Sequence, residues 1–132
     1  MPREKTLPPD VTMRAATAAD VPASSALAIE TYAAAFGHSM SADDLAVQLR
    51  ETRSECYFEA VLTTDAIILA FVAQRLAGYI HLRGQPHEDK VEINAFYVAP
   101  ALQGQGIGTA LFERAAAHPR IAAARHITLD VW

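Results

Sequence analysis

Hydrophobic and polar positions repeat with two different periods along the chain, and the change falls near residue 65. Before it, apolar residues recur at the spacing of one helix face. One such stripe runs through Val21, Ser25, Ile29, Tyr32 and Phe36. Pro22 suits a first helical turn and Gly37 suits a helix end, so the pattern predicts a helix between them.

A short strand is predicted ahead of this helix, and a second helix after it. The strand covers Val11 to Ala16, and Thr17 to Asp20 then have the layout of a capping box. Ser41 followed by acidic residues marks the start of the second helix. Its apolar face continues toward Leu62, with an interruption near Arg53-Ser54.

Beyond residue 65 the pattern becomes that of strands. Ile67 to Val72 is a continuous apolar run, which is typical of a buried strand. Strands from Leu76 to Leu82 and from Val91 to Val98 follow it, and the short connections favour an antiparallel meander. A helix from Gln105 to about Ala117 and a strand from His126 to Val131 then complete a β-α-β unit, whose strands should be parallel.

Composition restricts the partners of this chain. It has 132 residues and a formal net charge of -4, without a basic block. Nucleic acid is therefore not expected as a partner, because phosphate contacts need clustered Lys or Arg. The histidines do not have metal-ligand spacing, so no metal is expected.

Targeting signals and disulfides are not expected either. Cys56 is the single cysteine, which excludes an intrachain disulfide and predicts a buried or half-buried thiol. Residues 1–10 lack the apolar core of a signal peptide and are interpreted as a flexible leader. No stretch is apolar and long enough to span a bilayer, so a cytoplasmic location is the default expectation.

Glycines cluster between the predicted strand that ends at Val98 and the helix that follows it. The run is Gln103-Gly104-Gln105-Gly106-Ile107-Gly108-Thr109. Free N–H groups and the helix dipole favour an anion at such a helix start, above all a phosphate. The spacing does not fit a dinucleotide fingerprint, since the third glycine is misplaced and Pro100 interrupts the tight turn. No Gly-Lys-Ser/Thr follows, which excludes a Walker loop.

The glycine run resembles the central motif of the GNAT acetyltransferase superfamily, Gln/Arg-x-x-Gly-x-Gly/Ala. The resemblance extends to the preceding Ala95 to Pro100, to the opening Arg14 to Asp20, and to Gly78 to Arg83 and Leu129 to Val131. It implies an α/β (α+β) fold with a mixed, mostly antiparallel central sheet flanked by helices. The implied order is a strand, two helices, three strands, a helix and a strand, in one domain over residues 11–132.

The resemblance also implies an acetyl-CoA site. The pyrophosphate would lie on the backbone of the seven residues from Gln103 to Thr109, so the side chains of Gln103 and Gln105 should matter little. The pantetheine arm would pair with Phe96, Tyr97 and Val98, where the last two strands separate.

Chemistry at such a site needs a base for the acceptor amine. Glu92 is the candidate, because some family members carry a base Glu at this distance before the motif. Period-two alternation predicts that it shares a strand face with Asn94, Phe96 and Val98. A solvated or salt-bridged glutamate is the open alternative. His81 is a second candidate base and substrate contact.

The acceptor pocket would involve Tyr32 and Phe36 by this resemblance, whereas their helical spacing favours core packing. The expected function is transfer of an acetyl group from acetyl-CoA to a primary amine of a small molecule or protein, by direct attack. The alternative is a non-catalytic acetyl-CoA-binding or oligomeric interaction module. The family pattern continues past the strand that ends near Trp132. The absence of this continuation from this sequence predicts that the last strand is an exposed sheet edge. It also predicts a homodimer formed through this C-terminal strand.

Overall fold

The computed structural model describes residues 10–85, 90–118 and 126–129. The predicted leader lies outside these residues apart from Asp10, as does the end of the last predicted strand. The strands are β1 (Val11–Ala15), β2 (Ala66–Val72), β3 (Arg75–Gln85), β4 (Lys90–Val98) and β5 (His126–Leu129). They form one five-stranded sheet in the order β1-β2-β3-β4-β5.

Strand directions follow the sequence prediction. β1 to β4 pair antiparallel, and β4 pairs parallel with β5. The β2–β3 hairpin turns on Ala73 and Gln74, whose φ angles of 49° and 68° match the twist of a tight two-residue turn. The mixed, mostly antiparallel sheet flanked by helices is therefore confirmed.

The helices are α1 (Val21–Phe36), α2 (Ala42–Thr52), α3 (Glu55–Val61) and α4 (Ile107–Ala116). The predicted second helix is divided at the expected interruption, because Ser54 starts a new helix by accepting a hydrogen bond from the Tyr57 N–H at 3.2 Å. α4 begins two residues later than predicted, since Gly106 is its left-handed cap with φ of 84°.

Two hydrophobic cores lie on the two faces of the sheet. α4 packs on one face, and this donor face is defined by Ile80, Leu82, Ile93, Ile107 and Leu111. α1 and α3 pack on the other, and this acceptor face is defined by Leu27, Ala28, Phe58, Leu69 and Tyr79. The two names refer to the acetyl donor and the amine acceptor that the sequence resemblance implies.

Two predictions of burial are wrong. Ile29 is 37% exposed, because the buried stripe of α1 centres on Leu27 and Ala28 and turns the next residue outward. Cys56 is exposed as well, since α3 turns Phe58 inward and leaves its second residue on the outer side.

Candidate active site

The glycine loop presents free backbone donors at the start of α4. Gly104 and Gly106 have φ angles of 86° and 84°, in the left-handed region that glycine adopts without strain. The first intrahelical bond is donated by Ala110 to Gly106 at 3.1 Å, so the N–H groups of residues 107–109 precede the ladder. A cavity of about 150 Å³ opens here. Its lining is Val98, Leu102, Gln103, Gly104, Gly106, Gly108 and Thr109.

The end of β4 is held closely against this loop. A Cβ on Gly108 would lie 3.6 Å from Val98 Cγ2. Gln103 Nε2 donates to the Val98 carbonyl at 3.1 Å. This hydrogen bond ties the loop to the strand, a structural contact of Gln103 that is separate from the predicted binding of the pyrophosphate by the backbone.

A bulge in β4 separates the residues that the sequence placed on one face. His81 pairs with Ala95 and Leu82 with Ile93, which leaves Asn94 as the extra residue. Phe96 and Val98 pack on the donor face together with Ile93. Glu92 lies opposite Arg83 on the acceptor face, so the predicted alignment of Glu92 with Phe96 and Val98 is wrong.

The described pairing of β4 with its parallel neighbour ends next to the bulge. The last described pair between β4 and β5 is Ile93 with Leu129. From Asn94 to Val98, no described strand residue pairs with this edge of β4. The backbone groups of Phe96, Tyr97 and Val98 on that edge therefore have no strand partner among the described residues.

A second cavity, of about 260 Å³, lies on the acceptor face and is hereafter the acceptor cavity. Its wall includes Asn94 and Ala95, the bulge residue of β4 and the residue after it. The other lining residues are Gln48, Thr52, Arg53, Tyr57, Phe58, Tyr79, His81 and Arg83.

His81 is buried in this wall and held by a carboxylate. Its Nε2 lies 2.7 Å from Asp65 Oδ2, and its Nδ1 lies 3.4 Å from Asn94 Nδ2. Burial lowers the pKa of His81 despite the opposing effect of Asp65. A neutral imidazole then donates from Nε2 to the carboxylate and keeps its Nδ1 lone pair on the side of Asn94.

Glu92 is partly exposed, with 31% of its side chain accessible. Its Oε2 lies 3.9 Å from Arg83 Nη1, and Arg83 Nε also donates to Asp65 at 3.3 Å. This arrangement matches the ion-paired alternative left open for Glu92. Arg83 links Glu92 to the acceptor cavity, which it lines itself.

Tyr32 and Phe36 lie behind the cavity wall rather than in it. Their ring centroids are 4.8 Å apart, and Tyr32 is only 6% exposed. The Arg53 guanidinium lies 4.2 Å above the Tyr32 ring and separates this pair from the cavity. Their packing matches the core interpretation.

Sequence reasoning missed Arg53, Tyr57, Asp65 and Asn94 as site residues. Arg53 was visible only as part of a helix interruption, and Asp65 as a loop residue before β2. Asn94 donates to the Tyr57 hydroxyl at 3.3 Å, a contact between residues far apart in sequence. The spacing of residues along the sequence does not predict a cluster of side chains from distant positions. Polar residues next to the ends of predicted helices and strands are the one sequence signal that could have indicated it.

The fold, the glycine-lined cavity and the acceptor cavity define the class of this protein. It is an α/β protein with an anion cradle at a helix start and a small polar cavity across the neighbouring strand. The family model described as "Acetyltransferase (GNAT) family" matches residues 27–132. The chain belongs to the GNAT acetyltransferase family.

Solved structures share this fold at low sequence identity. The PaiA N-acetyltransferase of Thermoplasma acidophilum, in complex with coenzyme A, has a TM-score of 0.70 at 20% identity, covering 80% of this chain and 69% of that one. A ribosomal-protein-alanine N-acetyltransferase from Brucella melitensis has a TM-score of 0.65 at 17% identity, covering 90% and 78%. An aminoglycoside acetyltransferase from an uncultured soil metagenomic sample gives 0.67 at 17%, covering 92% and 80%.

The Brucella and soil metagenomic proteins are named for chemically different acceptors, so the shared fold does not define an acceptor for this chain. No curated protein sequence matches it. Within the described residues, no group of three or more His, Cys, Asp or Glu side chains could hold a metal ion. None of the described helices is long and apolar enough to cross a membrane.

Proposed function

We propose that this chain transfers an acetyl group from acetyl-CoA to a primary amine. The observation that carries the proposal is the placement of two cavities on opposite faces of one strand segment, Asn94 to Val98. One is lined by glycines at a helix start, and the other is polar and small. A thioester threaded along this segment would meet an amine in the acceptor cavity.

The donor would bind mainly through backbone groups. Its pyrophosphate would lie on the loop that comprises Gln103, Gly104, Gln105, Gly106, Ile107, Gly108 and Thr109. The dipole of α4 and its free N–H groups favour that charge. The pantetheine amides would pair with Phe96, Tyr97 and Val98, which extends the sheet by a strand-like segment.

The acceptor amine would attack the thioester carbonyl carbon directly. A carbon–nitrogen bond forms, the carbon–sulfur bond breaks, the amine loses a proton to a base, and the CoA thiolate leaves. Glu92 is the proposed base, acting from the acceptor face beside Arg83. His81 is the competing base, since its Nδ1 lone pair faces Asn94 in the cavity wall.

Acetyl-CoA titration calorimetry tests the donor site. The wild type should bind, and Gly106→Trp should abolish binding by filling the cradle. Ala116→Trp is the matched control, because it places the same side chain at the exposed other end of α4. Failure of the wild type to bind would refute the donor assignment.

CoA release across a panel of amines separates an enzyme from a non-catalytic acetyl-CoA-binding module. Binding without turnover of any amine would favour the module. If turnover is found, Glu92→Gln should lower kcat by roughly 100-fold or more, as expected for loss of a general base. Full activity of that variant together with loss in His81→Gln would transfer the role to His81.

The homodimer predicted from the sequence, formed through the C-terminal strand, and the cytoplasmic location both stay predictions. Light scattering at micromolar concentration measures the first. A monomeric mass would contradict it.

A further inference from the structure

A buried positive charge lies in the wall of the acceptor cavity. Arg53 is 8% exposed and follows the last residue of α2. Its guanidinium is charged at any physiological pH, and burial of an unpaired charge is costly. The local fold holds it in place, since the Ser25 hydroxyl donates to the Arg53 carbonyl at 2.6 Å.

No carboxylate in the described part of the chain neutralises this charge. Arg53 Nη2 donates to the Tyr97 hydroxyl at 2.7 Å, Nη1 donates to Thr52 Oγ1, and Nε has no partner among the described residues. The remaining contacts are the faces of two rings, Tyr32 at 4.2 Å and Tyr97 at 5.7 Å. Hydroxyls and ring faces solvate a cation, but they carry no compensating charge.

The other arginine of this cavity differs in this respect. Arg83 lies 3.3 Å from the Asp65 carboxylate and 3.9 Å from Glu92. Its charge is matched within the fold, whereas that of Arg53 is not. The acceptor cavity therefore has an excess positive charge at the α2–α3 end and the His81–Asn94 pair at the other wall.

We propose that the acceptor is an amino acid, whose carboxylate binds Arg53 while its amine reaches the segment of Asn94 and Ala95. This inference rests on the proposed acetyltransferase function and names its substrate class. A cavity of about 260 Å³ suits a molecule of that size. Arginine binds carboxylates through charge-assisted hydrogen bonds. The same charge disfavours acceptors with a second cation, such as polyamines.

Matched acceptors test this on the wild type alone. The standard amino acids and their C-terminal amides differ by the carboxylate and keep the amine. The free acids should be acetylated with kcat/KM at least 10-fold higher than the amides, as expected for a hydrogen bond to a charged group. Equal kcat/KM for acids and amides would overturn the proposal.

Variants then assign the preference to Arg53. Arg53→Gln should raise KM for the acids roughly 10- to 100-fold and leave the amides unchanged, while Arg53→Lys should fall between. Arg50→Gln is the matched control, because it removes an exposed cation from the last turn of α2, close in sequence to Arg53. Unchanged acetyl-CoA affinity shows that each variant is folded. An equal loss for acids and amides would make Arg53 a packing residue and overturn the proposal.

Direct binding separates this inference from the proposed function. If no amine is acetylated, the protein saturated with CoA is titrated with the same amino acids and amides. Binding of an acid that Arg53→Gln weakens supports the carboxylate site without catalysis. Absence of binding by every acid overturns it.

Discussion

The two faces of the sheet differ in the groups that line the cavity on each of them. On the donor face, the cradle is built from backbone N–H groups and glycines of one continuous segment. On the acceptor face, the cavity is lined by side chains from four separate regions: α2 with the Arg53 that follows it, α3, β3 and β4. A backbone site constrains a short sequence, whereas a side-chain site constrains positions far apart.

This difference determines which substitutions each face tolerates. The donor cradle depends on φ angles and close approach, so only a few substitutions leave it intact. The acceptor cavity keeps its frame when its polar side chains change, because Phe58 and Tyr79 lie in the buried core beneath it. One fold can therefore keep a donor and vary its acceptors, in line with the different acceptors named for its structural neighbours.

The largest expected effects come from the cores under the two faces. Phe58 is 1% exposed and packs edge-on against Tyr79 at 5.8 Å, and Leu111 of α4 is fully buried in the core of the donor face. Phe58→Ala should lower the free energy of unfolding by about 3–5 kcal/mol, and Leu111→Ala by about 2–5 kcal/mol. Urea denaturation measures both.

The ligand affinities of these two variants test whether the two faces of the sheet act independently. Phe58→Ala should alter KM for the acceptor and leave acetyl-CoA affinity near that of the wild type. Leu111→Ala should do the reverse. If both variants weaken the binding of acetyl-CoA and of the acceptor equally, the two faces are not independent, which would contradict the division of roles between them.

A smaller effect is expected in the glycine loop itself. Gly104 has φ of 86°, and an added Cβ would have no atom within 4 Å. Gly104→Ala should therefore cost only the backbone strain, about 1–2 kcal/mol, together with a weaker affinity for acetyl-CoA. Thermal unfolding and calorimetry measure the two.

Gly37→Ala is the matched control for that substitution. Gly37 has a helical φ of -59°, and its added Cβ would meet Leu45 Cδ2 at an ordinary 3.6 Å. It should be neutral or stabilising by up to about 1 kcal/mol. A stable Gly104→Ala variant with unchanged affinity would show that the left-handed conformation is not needed.

The sequence predicted the donor face far better than the acceptor face. Residues 98–109 contain a strand end, a proline turn and glycines in a local order that spacing arguments can interpret. The bulge at Asn94 left no such trace, because it depends on how β4 pairs with β3 and not on its own pattern. The bulge places Glu92 and Phe96 on opposite faces of the sheet. Simple alternation of faces along β4 therefore fails for residues on either side of Asn94.

Contacts between side chains that only tertiary packing brings together could not be predicted from local sequence patterns either. Arg53 was part of a predicted helix interruption, yet its burial depends on Tyr32 of α1 and Tyr97 of β4. Asp65 and His81 form their contact across sixteen positions. Helices, strands and the connection order could be predicted since each rests on a local period, with Ile29 and Cys56 as the exceptions that packing decided.

The smallest effect expected is a pH dependence of stability that the acceptor face alone contributes. Burial lowers the pKa of His81 from its usual 6.5, with Asp65 acting in the opposite direction. Above 6.5, His81 is neutral in the folded and unfolded states, so its contribution is fully present. As the pH falls below 6.5, the unfolded state takes up a proton before the folded state does, and the free energy of unfolding declines.

His81→Gln should remove that part of the pH dependence. Urea denaturation between pH 8 and 5 should show a wild-type slope that exceeds the variant's by at most about 1.4 kcal/mol per pH unit, the limit for one proton. Asp65→Asn is the matched comparison. It removes the carboxylate that favours protonation of His81, so the pH range in which stability declines should widen. Parallel curves for the wild type and His81→Gln would mean that the buried imidazole takes up its proton as readily in the folded chain as in the unfolded one. The acceptor face would then lack the neutral Nδ1 lone pair that makes His81 a competing base.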